Sequence, residues 1–403
     1  MKPCRLCVRK LRTAWRVLRV QGPGTFLRLT QQRLAASRHI DVCRHYRFVS
    51  MPAIGQPCKQ PPPPRSVNWV IPMYAPGSGG HINIFRFVDL LERRGFDCRI
   101  VIVPGQGTPP PSARQAAKEI AAWFQPLRAP IFCDIAKAPP ARVTLATSWP
   151  TAYYARAFQP TWQRGYFVQD FEPWFYPPGS EYAFAEATYR FGFFGITAGR
   201  WLEAKLASEY GMPTEAVGFS YDHALYSPQP RKNPRQRQIF FYARPPTPRR
   251  GFELGLLALA EVVRRMPDVR VVFAGWDVSA YRIPFDHNNA GVLPVKHLAE
   301  LYSQCDVALV LSFSNLSLLP LELMACGTPV VSNRGPWVEW LLDDTVAELA
   351  DATPTGLADA LCRVLEDEAR RRWLRENGLA LARATSWEAE GDKLAQILTR
   401  LGA

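Results

Sequence analysis

A single carboxylate, Glu322, stands where a predicted strand meets a predicted helix. Residues 307–311 form an apolar run typical of a buried parallel strand, and residues 320–326 predict a short helix. Glu322 therefore falls in the first turn of that helix. A carboxylate there faces the loops beyond the strand's carboxyl end, where open α/β sheets bind ligands, and it can accept hydrogen bonds from ribose hydroxyls. The alternative is an acid that only favours the positive end of the helix dipole.

Two arginines upstream of Glu322 suit a phosphorylated ligand. Residues 238–244 predict a strand that ends in Arg244, and a proline-rich turn then leads to Arg250 and to a helix predicted over residues 252–265. Guanidinium groups are permanently charged and donate two hydrogen bonds side by side, so we expect Arg244 and Arg250 to clamp a diphosphate. The alternative for both is a solvated charge beside a loop.

A glycine-rich turn in the amino-terminal half could hold an anion. It follows a strand predicted over residues 67–74 and precedes a helix predicted over residues 82–94. The backbone amides of Gly79 and Gly80, reinforced by the helix dipole, can receive a phosphate. His81 either donates to a phosphate or hydroxyl or only begins the helix.

Four side chains follow a strand predicted to end at residue 168. They are Gln169, Asp170, Glu172 and Trp174. Carboxylates and amides bind sugar hydroxyls and aromatic faces stack on sugar rings, so we expect Gln169, Glu172 and Trp174 to contact an acceptor. Two alternatives stay open: Asp170 and Glu172 as the acid pair of a glycosidase, or both as capping and turn residues.

From about residue 67 to its end, the sequence resembles retaining GT-B glycosyltransferases of family four. That family has a strand ending in Arg, a loop ending in Lys-Gly and a Pro-x-Glu-x-Met-Ala-x-Gly-Thr-Pro-Val-Val segment. Arg244, then Arg250 with its glycine, then residues 320–331 match in order and spacing. The resemblance implies an α/β fold of two Rossmann-like parallel-sheet domains facing a cleft. It places the last strand of the first domain at residues 193–198.

The resemblance also implies an activity: sugar transfer from a nucleoside diphosphate to a glycan or lipid-linked acceptor, without a cofactor. It assigns the ribose to Glu322, the diphosphate to Arg244 and Arg250, and the shielding of the positive sugar to Asp170. Further contacts with the sugar nucleotide are implied at Gly79, Gly80, His81, Pro294, Ser317 and Leu318. Because no Asp-x-Asp pair is present, no metal is expected.

One position departs from the family pattern. The family has a second acid eight positions before Glu322, where this chain has Ser314. Together with the run around Gln169, this replacement is most similar to bacterial rhamnosyltransferases of rhamnose-rich surface glycan assembly, which implies dTDP-rhamnose as the sugar source. Phe313, Leu316 and Leu318 would suit the methyl group of such a sugar or form core. A catalytically impaired glycan-binding protein is the other possibility.

Charge divides the chain into three predicted parts. Residues 1–65 contain fourteen Lys or Arg and a single acid, so this segment carries nearly all of the chain's net charge of +14. We expect residues 66–228 to form the acceptor domain and residues 229–403 the sugar-nucleotide domain, with the last helix crossing back. The basic amphipathic segments 9–20 and 25–35 predict attachment to an anionic membrane surface or a disordered extension.

Composition narrows the compartment and the partners. No apolar run reaches eighteen residues, no secretory signal is evident, and nine scattered cysteines favour a reducing environment. We expect a cytoplasmic protein, peripheral at the inner face of the cell membrane. No nucleic-acid recognition motif accompanies the basic charge, so no nucleic acid is expected.

Overall fold

The computed structural model describes residues 41–104 and 110–403. The chain divides into two compact units, Met1–Ser50 and Met51–Ala403. Within the first unit, Asp41 caps a short helix, α1 (Val42–His45), by accepting a hydrogen bond from the Arg44 amide, and a 3₁₀ turn, Arg47–Ser50, follows. The basic segments 9–20 and 25–35 lie outside the described residues.

Seven parallel strands form the first sheet of the larger unit, in the order β3-β2-β1-β4-β5-β6-β7. The strands are β1 Ser66–Ile71, β2 Asp97–Ile102, β3 Ile131–Phe132, β4 Ala141–Ala146, β5 Thr161–Val168, β6 Phe194–Ala198 and β7 Thr214–Val217. From β1 to β3 successive strands are added towards one edge of the sheet, and from β4 to β7 towards the other, so the order of addition reverses between β1 and β4. At such a switch point the following loops diverge and leave a crevice at the carboxyl ends of the strands.

Six parallel strands form the second sheet, in the order β10-β9-β8-β11-β12-β13. The strands are β8 Gln238–Tyr242, β9 Arg270–Ala274, β10 His287–Gly291, β11 Val307–Leu309, β12 Val330–Asn333 and β13 Glu348–Ala350. Here the switch point lies between β8 and β11. The two sheets confirm the predicted α/β architecture of two parallel-sheet domains.

Helices cover the sheets and bury their apolar sides against the strands. In the first domain they are α2 Gly79–Arg93, α3 Ala113–Trp123, α4 Trp149–Ala157, α5 Ser180–Ala187 and α6 Arg200–Tyr210. In the second they are α7 Phe252–Arg265, α8 Leu298–Ser303, α9 Leu319–Ala325, α10 Pro336–Glu339, α11 Pro354–Glu366 and α12 Glu368–Ala384, followed by α13 Trp387–Leu401. Strands buried on both faces need continuous apolar runs, which is why strands such as β1, β8 and β11 could be predicted from sequence.

One strand prediction is wrong. The last strand of the first domain is β7 (Thr214–Val217), beyond the strand expected at residues 193–198. Its four residues, Thr-Glu-Ala-Val, lack the apolar run that marks a buried strand. β7 pairs with β6 at the edge of the sheet, so its burial comes from neighbouring helices.

The last two helices join the domains a second time. α12 lies on α9, and its Gly378 has no side chain to collide with Met324, whose Cγ would be 3.0 Å from an added Cβ. α13 returns to the first sheet, where Leu394 and Ile397 enter its core. Arg94, directly after α2, forms an ion pair with Asp392 at 2.6 Å. No helix of the described residues is long and apolar enough to cross a membrane.

Candidate functional site

The two switch points carry most of the predicted site. In the second sheet, Arg244 follows β8, and the loop of residues 312–318 follows β11. In the first sheet, the glycine-rich turn follows β1 and leads into α2, while Asp170 lies just beyond β5. These are the positions at which parallel sheets bind ligands.

Three arginines converge beside the second switch point. Arg249 and Arg250 belong to a 3₁₀ turn, and Arg250 Nη1 donates to Ser312 Oγ at 2.6 Å. Burial is the main cause that lowers the pKa of both guanidinium groups, and the charge of Arg244 lowers it further. The Arg244 guanidinium carbon lies 6.0 Å from the ring centre of Trp276. The predicted pair, Arg244 and Arg250, is therefore joined by Arg249, which was not predicted, in a cluster of three positive charges.

Asp170 faces this cluster from the first domain. Its carboxylate accepts hydrogen bonds from Ser314 Oγ at 2.9 Å and from the Asn315 amide at 2.8 Å. Arg249 Nε lies 3.6 Å from Asp170 Oδ2. Burial raises the pKa of Asp170, while the charges of Arg250 and Arg249 act in the opposite direction. Ser314, which replaces the expected acid, thus touches an acid of the opposite domain.

The loop that holds Ser314 is anchored on both sides of the domain boundary. Asn315 Nδ2 donates to the carbonyl oxygens of Gln169 at 2.9 Å and Ala198 at 2.8 Å, both in the first domain. On the other side, Trp337 Nε1 donates to the Ser312 carbonyl at 2.6 Å. The loop of residues 312–318 is therefore bonded to the carboxyl ends of β5 and β6 in the first domain and to Trp337 in its own.

Trp174, predicted to contact the acceptor, lies at this boundary. Its ring meets Trp337 edge to face with centroids 5.6 Å apart, and Trp201 lies at the same distance on the first-domain side. The side chain is half-buried. Trp174 therefore packs between the two domains, and part of its side chain stays exposed.

Backbone conformation lets the arginine turn approach the loop. Gly251 ends the turn with φ +58°, a left-handed conformation that favours glycine. A Cβ at this position would lie 3.0 Å from the Phe313 ring. The Phe313 amide donates to the Arg249 carbonyl at 2.9 Å, so turn and loop form one surface.

Gln169 ties the end of β5 to the glycine-rich turn. Its Nε2 donates to the Gly80 carbonyl at 3.1 Å, and its Oε1 accepts from Asn83 Nδ2 at 3.0 Å. Gly79 begins α2 and has open space beside its Cα, since an added Cβ would meet nothing within 4 Å. The start of α2 is thus held firmly and is sterically accessible at Gly79.

His81 has both ring nitrogens engaged inside the first domain. Nε2 lies 3.3 Å from the Pro72 carbonyl, which can only accept, so this nitrogen carries the hydrogen. Nδ1 then accepts from Ser78 Oγ at 2.8 Å. Burial lowers the pKa of His81 to about 4, which keeps the ring neutral. The geometry favours the structural role that the sequence left open for this residue.

Glu172, predicted to contact the acceptor, is buried inside the first domain. One carboxylate oxygen accepts from the Trp149 amide at 2.8 Å, at the start of α4, and the other from Tyr166 Oη at 2.9 Å. Burial raises its pKa to about 7. Glu172 therefore behaves as the capping acid of the alternative interpretation. Because Asp170 and Glu172 are both held by internal partners, the geometry does not support a glycosidase pair.

Substitution of Glu172 should separate its structural role from an acceptor-binding role. Glutamine can accept from Trp149 and donate to Tyr166 Oη, so we expect Glu172→Gln to fold normally. Alanine leaves two buried donors without acceptors, and we expect the free energy of unfolding to fall by on the order of 3 kcal/mol in urea titrations at pH 7. Lost transfer in Glu172→Gln at unchanged stability would instead indicate contact with the acceptor.

The pH dependence of stability gives a second measurement for this carboxyl group. Its pKa is higher in the folded chain than in the unfolded chain, so its contribution to stability is greatest at low pH and declines as pH rises from about 4.5 to 7. We expect this decline to be smaller in Glu172→Gln than in the wild type. Equal slopes in the two proteins would contradict the burial argument.

Glu322 lies in the first turn of α9, as predicted, and is half-buried. Burial raises its pKa to about 7, while a hydrogen bond from Tyr226 and the charge of Arg86 lower it and Asp222 raises it. Arg86 comes from α2 of the first domain and lies 3.7 Å from Asp222 Oδ2. Glu322 therefore interacts with Tyr226, Arg86 and Asp222, none of which belongs to the arginine cluster.

Donor binding should depend on the ionisation of Glu322. As pH falls below 7 the carboxylate gains a proton and loses acceptor capacity for ribose hydroxyls. We expect the affinity for a nucleotide sugar to fall up to about tenfold for each pH unit below 7, measured calorimetrically between pH 5.5 and 8.5. The diphosphate diester of the ligand does not titrate in this range. Glu322→Gln should bind weakly with a flat profile, and a wild-type profile equally flat would contradict the assignment.

The remaining predicted contacts lie around the second switch point. Pro294 is exposed before a 3₁₀ turn, Val295–His297, and Ser317 is half-buried. Leu318 is half-buried and packs against the core of the first domain. Leu316 is buried in the second domain, so it is not free to contact a sugar methyl group. Phe313 remains half-buried.

Arg86, Arg249 and Asn315 were missed by the sequence analysis. Arg249 directly precedes Arg250, which was selected because a glycine follows it. Arg86 lies about two helical turns after the glycine-rich turn. Asn315 follows Ser314 and carries no local signal. In the described part of the chain, no three His, Cys, Asp or Glu side chains are grouped to hold a metal ion.

Comparison with known proteins relates this chain to several of them. A family model described as WsaF, C-terminal domain, matches residues 237–362. The O-antigen biosynthesis protein RfbC of Myxococcus xanthus is 38% identical over 352 residues, which cover 84% of this chain and 27% of that protein. The chain thus spans about a quarter of the length of that relative.

Solved structures resemble the whole two-sheet arrangement. Sucrose-phosphate synthase from Thermosynechococcus elongatus has a TM-score of 0.65 at 17% identity and covers 83% of this chain and 98% of its own. HepE from Anabaena, solved in complex with UDP-glucose, has a TM-score of 0.64 at 14% identity and covers 83% of this chain and 99% of its own. The chain therefore has the GT-B fold, which confirms the predicted fold class.

Proposed function

We propose that this chain is a glycosyltransferase that moves a sugar from a nucleoside diphosphate onto a bacterial surface polysaccharide. The observation that carries the proposal is the convergence of Arg244, Arg249 and Arg250 at the switch point of the second sheet, beside Asp170 of the first domain. An O-antigen biosynthesis protein at 38% identity and a structural neighbour solved with UDP-glucose support the substrate class.

The geometry suggests how the reaction would be promoted. As the bond between sugar and diphosphate loosens, negative charge grows on the departing diphosphate. The arginines and the amides of Gly79 and Gly80 would stabilise that charge, and each preorganised donor of this kind contributes about 3 kcal/mol. We propose that these cations replace a metal ion, and that the anomeric configuration is retained as the resemblance implies.

We further propose that the sugar is rhamnose, supplied as dTDP-rhamnose. The support is the serine at position 314 and the half-buried ring of Phe313, which could meet the methyl group of a deoxysugar. The acceptor would be a glycan or a lipid-linked glycan. The basic segment before residue 65 would hold the enzyme at the anionic inner face of the cell membrane.

A panel of nucleotide sugars tests the function. Purified protein would be heated with dTDP-rhamnose, UDP-glucose or GDP-mannose, and release of the nucleoside diphosphate would be measured in parallel, with and without EDTA. We expect one sugar nucleotide to raise the unfolding temperature and to be hydrolysed slowly, unaffected by EDTA. Stabilisation without any release would favour a glycan-binding protein, and no response to any sugar nucleotide would overturn the proposal.

A further inference from the structure

The charges at the arginine cluster do not balance. Arg244, Arg249 and Arg250 bring three positive charges, and the acid hydrogen-bonded against their loop is Asp170. Glu172 also acts on Arg249, but burial raises its pKa to about 7, so at neutral pH it adds only part of a negative charge. The cluster with Asp170 keeps a surplus of two positive charges. A diphosphate that links a nucleoside to a sugar carries two negative charges and would neutralise it.

Asp170 reaches the cluster from the opposite domain. Ser314 and Asn315 belong to the loop after β11, whereas Asp170 follows β5 of the first sheet. The hydrogen bond between Ser314 Oγ and Asp170 Oδ2 is 2.9 Å long and joins residues 144 positions apart. The carboxylate therefore lies within one hydrogen bond of the side chain at position 314, where the sequence led us to expect an acid.

An acid at position 314 and an acid at position 170 exclude each other in this arrangement. Ser314 is fully buried, so a carboxylate there would be pressed against that of Asp170 with little water to screen the repulsion. Serine instead donates a hydrogen bond to it. Ser314 therefore suits this position, because a hydrogen-bond donor can accommodate the carboxylate of Asp170 from the other domain.

We propose that Asp170 supplies, across the domain boundary, the negative charge that the loop after β11 lacks at the sugar-nucleotide site. The inference rests on the proposed function and deepens it. Without Asp170, Arg249 would lose the acid that lies 3.6 Å from its Nε, and the loop of residues 312–318 has no carboxylate of its own.

Arg249 is the group most affected by this arrangement. Its Nε lies 3.6 Å from Asp170 Oδ2, which is too long for a hydrogen bond, and it has no other hydrogen-bond partner in the described part of the chain. Its guanidinium carbon lies 3.9 Å from the ring centre of Phe175 in the first domain. Arg249 is therefore held by contacts from the first domain, and its buried Nε has Asp170 as its ion-pair partner.

Exchange of the two side chains tests the inference. The variants are Asp170→Ser, Ser314→Asp and the double variant, with Asp89→Ser, which removes a surface ion pair with Arg93 in the first domain, as the control. Turnover of the sugar nucleotide and the unfolding temperature would be measured for each. We expect each single variant to lose at least tenfold in turnover and the double variant to recover at least tenfold over the worse single one.

Two outcomes would overturn the inference. One is a double variant no more active than its worse parent; the other is recovery of the unfolding temperature without recovery of turnover, which a purely structural contact would give. The wild type separates this inference from the proposed function. A wild type that turns over no sugar nucleotide contradicts the function itself, whereas an active wild type with an unrescued double variant contradicts only the role of Asp170.

Discussion

Arg244→Ala is expected to lower kcat/KM for the sugar nucleotide a hundredfold or more while leaving the fold intact. Arg244 is half-buried beside Trp276, and its charge lowers the pKa of Arg249 and Arg250. Loss of one preorganised donor to a departing anion costs about 3 kcal/mol. Removal of a like charge also relieves repulsion in the unliganded protein. Activity should therefore fall while the unfolding temperature stays constant or rises.

A surface arginine provides the control for that experiment. Arg264 lies on α7 of the same domain and pairs with Glu261 on the exposed face of the helix. Arg264→Ala should leave turnover within twofold of the wild type. If Arg244→Ala turns over its substrate as fast as Arg264→Ala, Arg244 does not bind the diphosphate.

Arg250→Ala is expected to damage both turnover and stability. Arg250 Nη1 donates to Ser312 Oγ at 2.6 Å, and its positive charge offsets the burial that raises the pKa of Asp170. Its removal leaves a mostly buried carboxylate with less counter-charge, which we expect to cost on the order of 2–3 kcal/mol of unfolding free energy. Turnover should fall a hundredfold or more, because the diphosphate loses a second cation.

Lysine at position 250 separates charge from geometry. Arg250→Lys keeps the positive charge but has one donor atom where arginine presents a planar fork. We expect turnover within about tenfold of the wild type and an unfolding temperature between those of the wild type and Arg250→Ala. A lysine variant as inactive as the alanine variant would show that the fork, and not the charge, is what the site requires. Near-normal turnover in Arg250→Ala would remove this residue from the site.

Local signals explain how much of the fold could be predicted. Helix α7 begins and ends where the sequence indicates, at Phe252 and Arg265, because a proline-containing turn and a glycine mark its start. Strands buried on both faces are recognisable as apolar runs. The edge strand β7, with two polar residues in four, carries no such signal, so it was missed.

Contacts between the domains could not be predicted in the same way. Asp170 and Ser314 are separated by 144 positions, and no periodicity in either segment indicates that they meet. The sequence placed Glu172 at an acceptor, although its carboxylate caps α4, because a capping acid remote from its helix leaves no pattern in the chain. Arg249 could not be predicted because the residues that hold it, Asp170 and Phe175, belong to the other domain.

The central claim is that the arginine cluster receives the diphosphate of a nucleotide sugar between the two sheets. A crystal structure of the wild type with bound dTDP-rhamnose, or with UDP-glucose if that is the ligand that stabilises the protein, tests it most directly. We predict that the phosphate oxygens lie within hydrogen-bond distance of the guanidinium groups of Arg244 and Arg250, with the ribose beside Glu322. A nucleotide bound elsewhere, with these three side chains free of it, would contradict the account.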